Sequence, residues 1–285
     1  MFTSRVSARR GLHSGKGLEM KIHHLNCGTM RPRGAGVFAP HLAEVSCNCL
    51  LLEADDQLVL VDTGLGTLDM DDPGRLGHSN VILNARSNME QTTLRQVRRM
   101  GLRQEDVRSI VCTHLDRDHA GGLVDFPDAE VQVLAPERDA ALNPRGFGEK
   151  DRYRPCHFEH GPRWVTHEAA PGADPWFGME CIRELPGLPE QIILVPLPGH
   201  TRGHCGVAVD TGEGWLFHCG DAFYVAVELD ESRRPPMDVR CFRRIAHEDF
   251  ASAMEQLGRI NKAVKAADGQ VKTLAAHDPR GPAGA

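Results

Sequence analysis

The chain has 285 residues, 41% of them hydrophobic and 25% charged, with a formal net charge of −6 at pH 7. That balance is the profile of an ordinary globular protein. It argues against the basic face with which nucleic-acid binders meet phosphate, and no apolar run approaches the ~20 residues of a membrane span. The nine cysteines, at 27, 47, 49, 112, 156, 181, 205, 219 and 241, are odd in number and contain no C-x-x-C pair. Such usage fits reduced thiols better than a disulfide framework, so a cytoplasmic location is expected.

Positions 1–19 carry Arg5, Arg9, Arg10 and Lys16 but no apolar core, so they do not read as a secretory signal. A transit segment, a vector leader or an extension ahead of Met20 are the readings left, and disorder is expected there. From Met20 a strand pattern begins. Apolar runs at 50–53 and 58–61 flank Asp55-Asp56 as a hairpin. Further strands are expected at 109–113, 131–134, 192–197, 206–209, 215–217 and 273–276. Helices are expected at 92–100, 136–142 and 247–265, the last because Phe250, Met254, Leu257, Ile260 and Val264 repeat at spacings of three and four. Strands interleaved with helices predict an α/β or α+β layered fold. Two stretches, 28–40 and 145–189, lack periodicity. The second holds Phe147, Tyr153, Phe158, Trp164, Trp176 and Phe177 among prolines and glycines. It reads either as a lid whose aromatics wall the site or as a surface excursion.

The densest chemistry lies in Thr113-His114-Leu115-Asp116-Arg117-Asp118-His119-Ala120-Gly121-Gly122, where four potential ligands follow an apolar run within six residues. So many imidazoles and carboxylates at one strand end call for a cation. His200, Asp221 and His277 each follow a predicted strand in the same way. Strand ends are where loops converge in layered α/β folds.

The ordered motifs His-x-Asp-x-Asp-His, Pro198-Gly199-His200-Thr201-x-Gly203-His204, Gly220-Asp221 and the late His277, with Val61-Asp62-Thr63-Gly64 upstream, resemble the metallo-β-lactamase-fold superfamily. The resemblance runs from about 21 to 278. It implies a four-layer αβ/βα sandwich, formed by 20–285 as one domain, with a dinuclear site on one edge. Carried over, His114, Asp116 and His200 would hold one divalent ion and Asp118, His119 and His277 the second. Asp221 would bridge them, and Asp62 would brace the ligand loops. Zinc is the metal expected. Asp116 stands where the commoner motif has His, so either it substitutes as an oxygen donor for zinc, or the two-His, one-carboxylate set suits iron or manganese. His204 is expected to make a supporting hydrogen bond and His218 to point away from Asp221. His23, His24, His41 and His78 have no implicating spacing.

Two adjacent divalent ions acidify a shared water and polarise a carbonyl, so hydrolysis is the expected chemistry. Asp118 is expected to pass the proton to the leaving group. Tyr224, three residues after Asp221, is similar to a Tyr at that offset in the acyl-homoserine lactonase branch, where it assists at the substrate carbonyl. Here it is read either as that donor or as a packed ring. Opening of a lactone or related carboxylic ester is the first reading. A thioesterase of the glyoxalase II kind and an iron-dependent oxygenase or oxidoreductase are the alternatives. A small-molecule substrate is the expected partner, with neither nucleic acid nor membrane, and a homodimer is left open.

Overall fold

The computed structural model describes residues 20–54, 57–85, 88–169 and 174–281. The expectations for 1–19 and for the Asp55-Asp56 turn lie outside the described residues. Strand burial decides the layering. In β2 (Val45–Ala54) Leu50 and Leu52 face one core, Leu51 faces another, and all three are fully buried. A strand apolar on both faces needs a layer on each side.

Ten strands occur among the described residues, in two sheets. The first has the order β1 (Lys21–Met30), β2, β3 (Gln57–Val61), β4 (Val107–Val111), β5 (Glu130–Leu134) and β6 (Arg163–His167). The β1–β2 and β2–β3 pairs are antiparallel, with Leu50 opposite Val61, and the β3 to β6 pairs are parallel. The second sheet has the order β10 (Val271–Leu274), β9 (Trp215–His218), β8 (Cys205–Asp210) and β7 (Ile192–Pro196), parallel only between β10 and β9.

The sheets meet through Leu50, Leu52, Val59, Val61, Ile192, Leu194, Val207 and Val209, which form one buried core. Because side chains alternate, Leu51, Leu60 and Ile110 point outward from the first sheet, where Leu94 and Val97 of the helix Thr93–Arg99 and Ala140 and Ala141 of the helix Ala135–Leu142 cover them. Ile193, Val195 and Ala208 point outward from the second, under Leu257, Ile260 and Ala263 of the helix Phe250–Ala266. The result is the helix–sheet–sheet–helix sandwich that the sequence leads one to expect.

Three details differ from the sequence reading. The last helix starts at Phe250 rather than 247, because the Asp249 side chain accepts from the Ser252 N–H at 3.0 Å and caps it. His247 is thereby left outside the helix. An amphipathic helix, Met237–Ala246, precedes it. The stretch 145–189 contains a short helix, Gly146–Arg152, and the edge strand β6. No helix among the described residues is long and apolar enough to cross a membrane.

Candidate metal centre

Each candidate donor arrives at one edge of the sandwich on the loop that follows a buried strand. His114 and Asp116 follow β4, and Asp118 and His119 lie on the single helical turn Arg117–Ala120. His200 follows β7, Asp221 follows β9 and His277 follows β10. The two sheets are stitched together at this edge by backbone hydrogen bonds, Asn48 N to Ala276 O at 2.8 Å and Cys205 N to Thr113 O at 2.9 Å. Donors from both sheets therefore share one small volume.

Anchoring of one ring nitrogen turns the other inward. Asp62, in the left-handed region at φ 57°, accepts from Thr113 N and Thr113 Oγ1 at 2.7 Å each and lies 2.8 Å from His119 Nδ1. Asp62 is thus placed as a brace, and His119 Nε2 is left facing the cluster. His277 Nδ1 is 2.7 Å from Ser46 O, His114 Nδ1 is 2.9 Å from Thr113 Oγ1, and His200 Nδ1 is 3.2 Å from His247 Nδ1. This is how metal-ligating histidines are held, with one nitrogen fixed and the other presented. His204 supports the site as expected: its Nδ1 meets Leu197 O and its Nε2 accepts from Asp221 N, both at 3.0 Å. His218 turns instead to Asn48 O, 2.8 Å away. Gly220, at φ 54°, permits this approach, since a Cβ there would lie 2.4 Å from His204 Nε2.

The inward atoms converge. His200 Nε2 and His114 Nε2 lie 3.2 and 3.5 Å from Asp116 Oδ2. His277 Nε2 lies 3.4 Å from Asp118 Oδ2, and His119 Nε2 4.0 Å from the same oxygen. Asp221 stands between the groups, its Oδ1 3.3 Å from His119 Nε2 and its Oδ2 3.1 Å from His277 Nε2 and 3.4 Å from His200 Nε2. All seven donors expected from the sequence are brought together. His114 Nε2, His119 Nε2, Asp116 Oδ1 and Asp221 Oδ1 are buried without a hydrogen-bond partner. Orphaned polar atoms of both kinds facing one space are costly in a closed protein, and divalent cations are the group that would satisfy them together.

The electrostatics of the protein alone agree. Despite burial, His277, His119 and His200 hold the Asp221 carboxyl well below its ordinary range. Despite burial, Asp221 pushes His277 up to about 9, and Asp221 and Asp62 raise His119 well above its usual value. The carboxylates thus favour a proton on each of these imidazoles. Cations would replace these protons, so metal uptake releases protons and weakens as pH falls.

Four residues that sequence spacing did not single out complete the site. Arg152, from the helix Gly146–Arg152, donates from Nη1 to Asp116 Oδ2 and lies 2.8 Å from His200 Nε2, while its Nη2 donates to Ala246 O at 2.6 Å. It offsets the negative charge that Asp116 introduces where the commoner motif has a neutral His; despite burial, Arg152 and His114 hold the Asp116 carboxyl well below its usual range. His247 backs His200, which burial and then Arg152 push down to about 4. Glu137 is fully buried and accepts from Leu115 N, Thr201 Oγ1, Gly203 N and Tyr153 Oη. It thereby fastens the loop of His114 and Asp116 to the loop of His200. Gly203 is packed so closely that a Cβ would meet Glu137 N at 2.1 Å. Cys47 brings its Sγ close to Asp118 and His277, the three donor atoms lying within 4.8 Å of one another.

A cavity of about 690 Å³ opens over these donors. Asp118, His200, Asp221, Tyr224 and His277 line its floor, and Met30, Phe38, Leu42, Leu83, Phe242 and Ile245 line its wall. The apolar wall thus comes from the stretch 28–40 with the turn Pro40–Leu42 that follows it, the helix Asn80–Leu83 and the helix Met237–Ala246. The expectation that Trp164 and Trp176 wall the site is corrected. Trp176 is buried behind the second sheet against Phe217 and Trp215, and Trp164 packs against Phe158 under the first. Rings of that size contribute most where they are fully withdrawn from water. From 145–189 the cavity takes Gly148, Glu149, Asp151 and Arg152 instead. Tyr224 is 1% exposed. Its hydroxyl is 3.4 Å from His200 Nδ1 and its ring lies parallel to His277, 7° between planes. Burial and then Asp221 push its phenol well above the ordinary value, so it stays protonated and able to donate.

Comparison with known proteins accords with this architecture. A protein of Mycobacterium tuberculosis described as a "Probable metallo-hydrolase" is 40% identical over 264 residues, covering 93% of this chain and 82% of its own. An N-acyl homoserine lactonase of Bacillus thuringiensis is 26% identical over 189 residues, 64% of this chain and 66% of that one. Among solved structures, an N-acyl homoserine lactone hydrolase with N-hexanoyl-L-homoserine at its catalytic metal centre superposes with a TM-score of 0.69 at 21% identity, covering 92% of this chain and 94% of that one. A dizinc quorum-quenching lactonase superposes with a TM-score of 0.65 at 18% identity, covering 93% and 90%. Residues 42–265 match the Metallo-beta-lactamase superfamily, and the chain belongs to that family.

Proposed function

We propose that this protein is a dinuclear zinc metallohydrolase that opens a lactone or a related carboxylic ester. His114, Asp116 and His200 would hold one ion, Asp118, His119 and His277 the other, with Asp221 shared. Bound there, divalent cations would supply acidified water and a polarised carbonyl. The protein's own groups do the rest. The apolar wall takes an acyl chain, consistent with pockets that are mostly apolar with few polar groups. Asp118 would accept a proton and return it to the leaving oxygen, a role supported by its place on the cavity floor and its greater exposure than Asp221. The observation that carries the ester reading is Tyr224, a buried, protonated phenol on the floor of an apolar cavity beside His200. It can donate to a carbonyl oxygen as negative charge develops there. The lactonases among the similar proteins support the same substrate class.

The test is a rate panel of acylated lactones, linear esters and thioesters, run on the parent and on Tyr224→Phe. Lactones should be opened fastest, and Tyr224→Phe should lower their kcat by ~10–1,000-fold, since one such donor is worth a few kcal/mol. Metal content should stay unchanged because the phenol is outside the donor sets. Thioesters turned over faster than lactones, or a Tyr224→Phe variant at parental rate, would refute the substrate assignment.

A further inference from the structure

We propose that Cys47 is itself a ligand of the ion held by Asp118, His119 and His277, so that one of the two positions has a mixed thiolate, carboxylate and imidazole donor set. The inference rests on the reading above that this edge binds metal, and it adds a donor which that reading does not contain.

The geometry comes from β2. At its start Val45 and Ser46 pair with Met30 and Thr29 of β1 across an irregularity in the register. Ser46 turns its carbonyl to His277 Nδ1 at 2.7 Å, which aims His277 Nε2 at Asp118 and Asp221. The next residue, Cys47, is 1% exposed, and its Sγ, an Asp118 carboxylate oxygen and a His277 ring nitrogen all lie within 4.8 Å of one another. Three donors so spaced can surround a single ion. The same two-residue step of β2 therefore both orients an imidazole donor and delivers a sulfur beside it.

The thiol is also free for the task. The Sγ atoms of Cys49, Cys205 and Cys219 reach backbone carbonyls at 3.8, 3.6 and 3.5 Å. Among the described residues Cys47 makes no such bond. His119 Nε2, 2% exposed as a residue and orphaned, faces the same group, 4.0 Å from Asp118 Oδ2. On binding, the Sγ–H bond breaks, the proton leaves to solvent and a sulfur–metal bond forms, with no change of oxidation state. A thiolate donor shifts this position toward zinc, cadmium or cobalt and away from magnesium, manganese or calcium.

X-ray absorption at the zinc edge of the zinc-loaded protein tests this without recourse to turnover. A sulfur shell at about 2.3 Å is expected beside nitrogen and oxygen at about 2.0–2.1 Å, with roughly one sulfur per two zinc ions. Cys47→Ser should abolish the sulfur shell while zinc remains bound. The cobalt-substituted parent should show a sulfur-to-cobalt charge-transfer band in the near ultraviolet, which guards against a Cys47 variant that fails to fold. Zinc bound with only nitrogen and oxygen neighbours, or cobalt visible bands with no charge-transfer band, would overturn the Cys47 assignment and leave the metal centre standing. Failure to bind either ion would overturn both.

Discussion

Asp221→Ala is expected to cost the protein one metal ion per chain and roughly 100-fold or more of its hydrolytic rate. Among the described residues Asp221 is the one carboxylate whose oxygens face both donor groups, Oδ1 toward His119 and Oδ2 toward His200 and His277. Without it, two cations would face each other with one fewer negative charge between them. The imidazoles would also lose the group that holds His277 protonated up to about 9 when no metal is present. The backbone should tolerate the change, because Asp221 N would still donate to His204 Nε2. Melting and circular dichroism should therefore stay near the parental result while metal and rate fall together. A variant with parental metal content and rate would show that the shared ligand lies elsewhere.

Glu137→Ala is expected to give the largest loss of stability, roughly 3–5 kcal/mol, by leaving four donors without their acceptor inside the protein. For a domain of this size that corresponds to a fall of roughly 10 °C in melting temperature. The donors belong to two different ligand loops, Leu115 N on one and Thr201 Oγ1 and Gly203 N on the other, with Tyr153 Oη beside them. Metal retention should drop with stability, because His114, Asp116 and His200 would no longer be held in register. Glu137→Gln keeps an acceptor oxygen and should lie between. Equal melting of Glu137→Ala and the parent, measured by calorimetry on metal-free protein, would show that the loops are held by other contacts.

These two residues mark what could and could not be read from the sequence. Asp221 was legible because a polar residue after an apolar run and a glycine is a local pattern, and the same holds for His114 to His119, His200 and His277. The strands were legible for the same reason: runs such as Ile192–Pro196 are buried on both faces and therefore apolar throughout. Glu137 was not, although its helix was expected. Nothing in Ala135–Leu142 tells that this glutamate is buried under loops that lie 22 and 64 positions away. Arg152 and Cys47 are of the same kind, brought to Asp116 and to the neighbourhood of Asp118 and His277 only by the packing of distant segments. The tryptophans misled in the opposite sense. Their neighbourhood of prolines and glycines read as a loop, whereas their rings close the two outer cores. The helix Met237–Ala246 went unread although it is amphipathic: of its ten residues only Val239 is buried, and Phe242, Ile245 and Ala246 line the cavity instead of a core.

Elemental analysis of protein purified without chelator and reconstituted with zinc tests the central claim most directly. Two donor groups sharing Asp221 predict about two zinc ions per chain, both removed by chelator and restored together with hydrolysis. A stoichiometry that stays near one after reconstitution, or lactone hydrolysis that persists in protein stripped of metal, would contradict it.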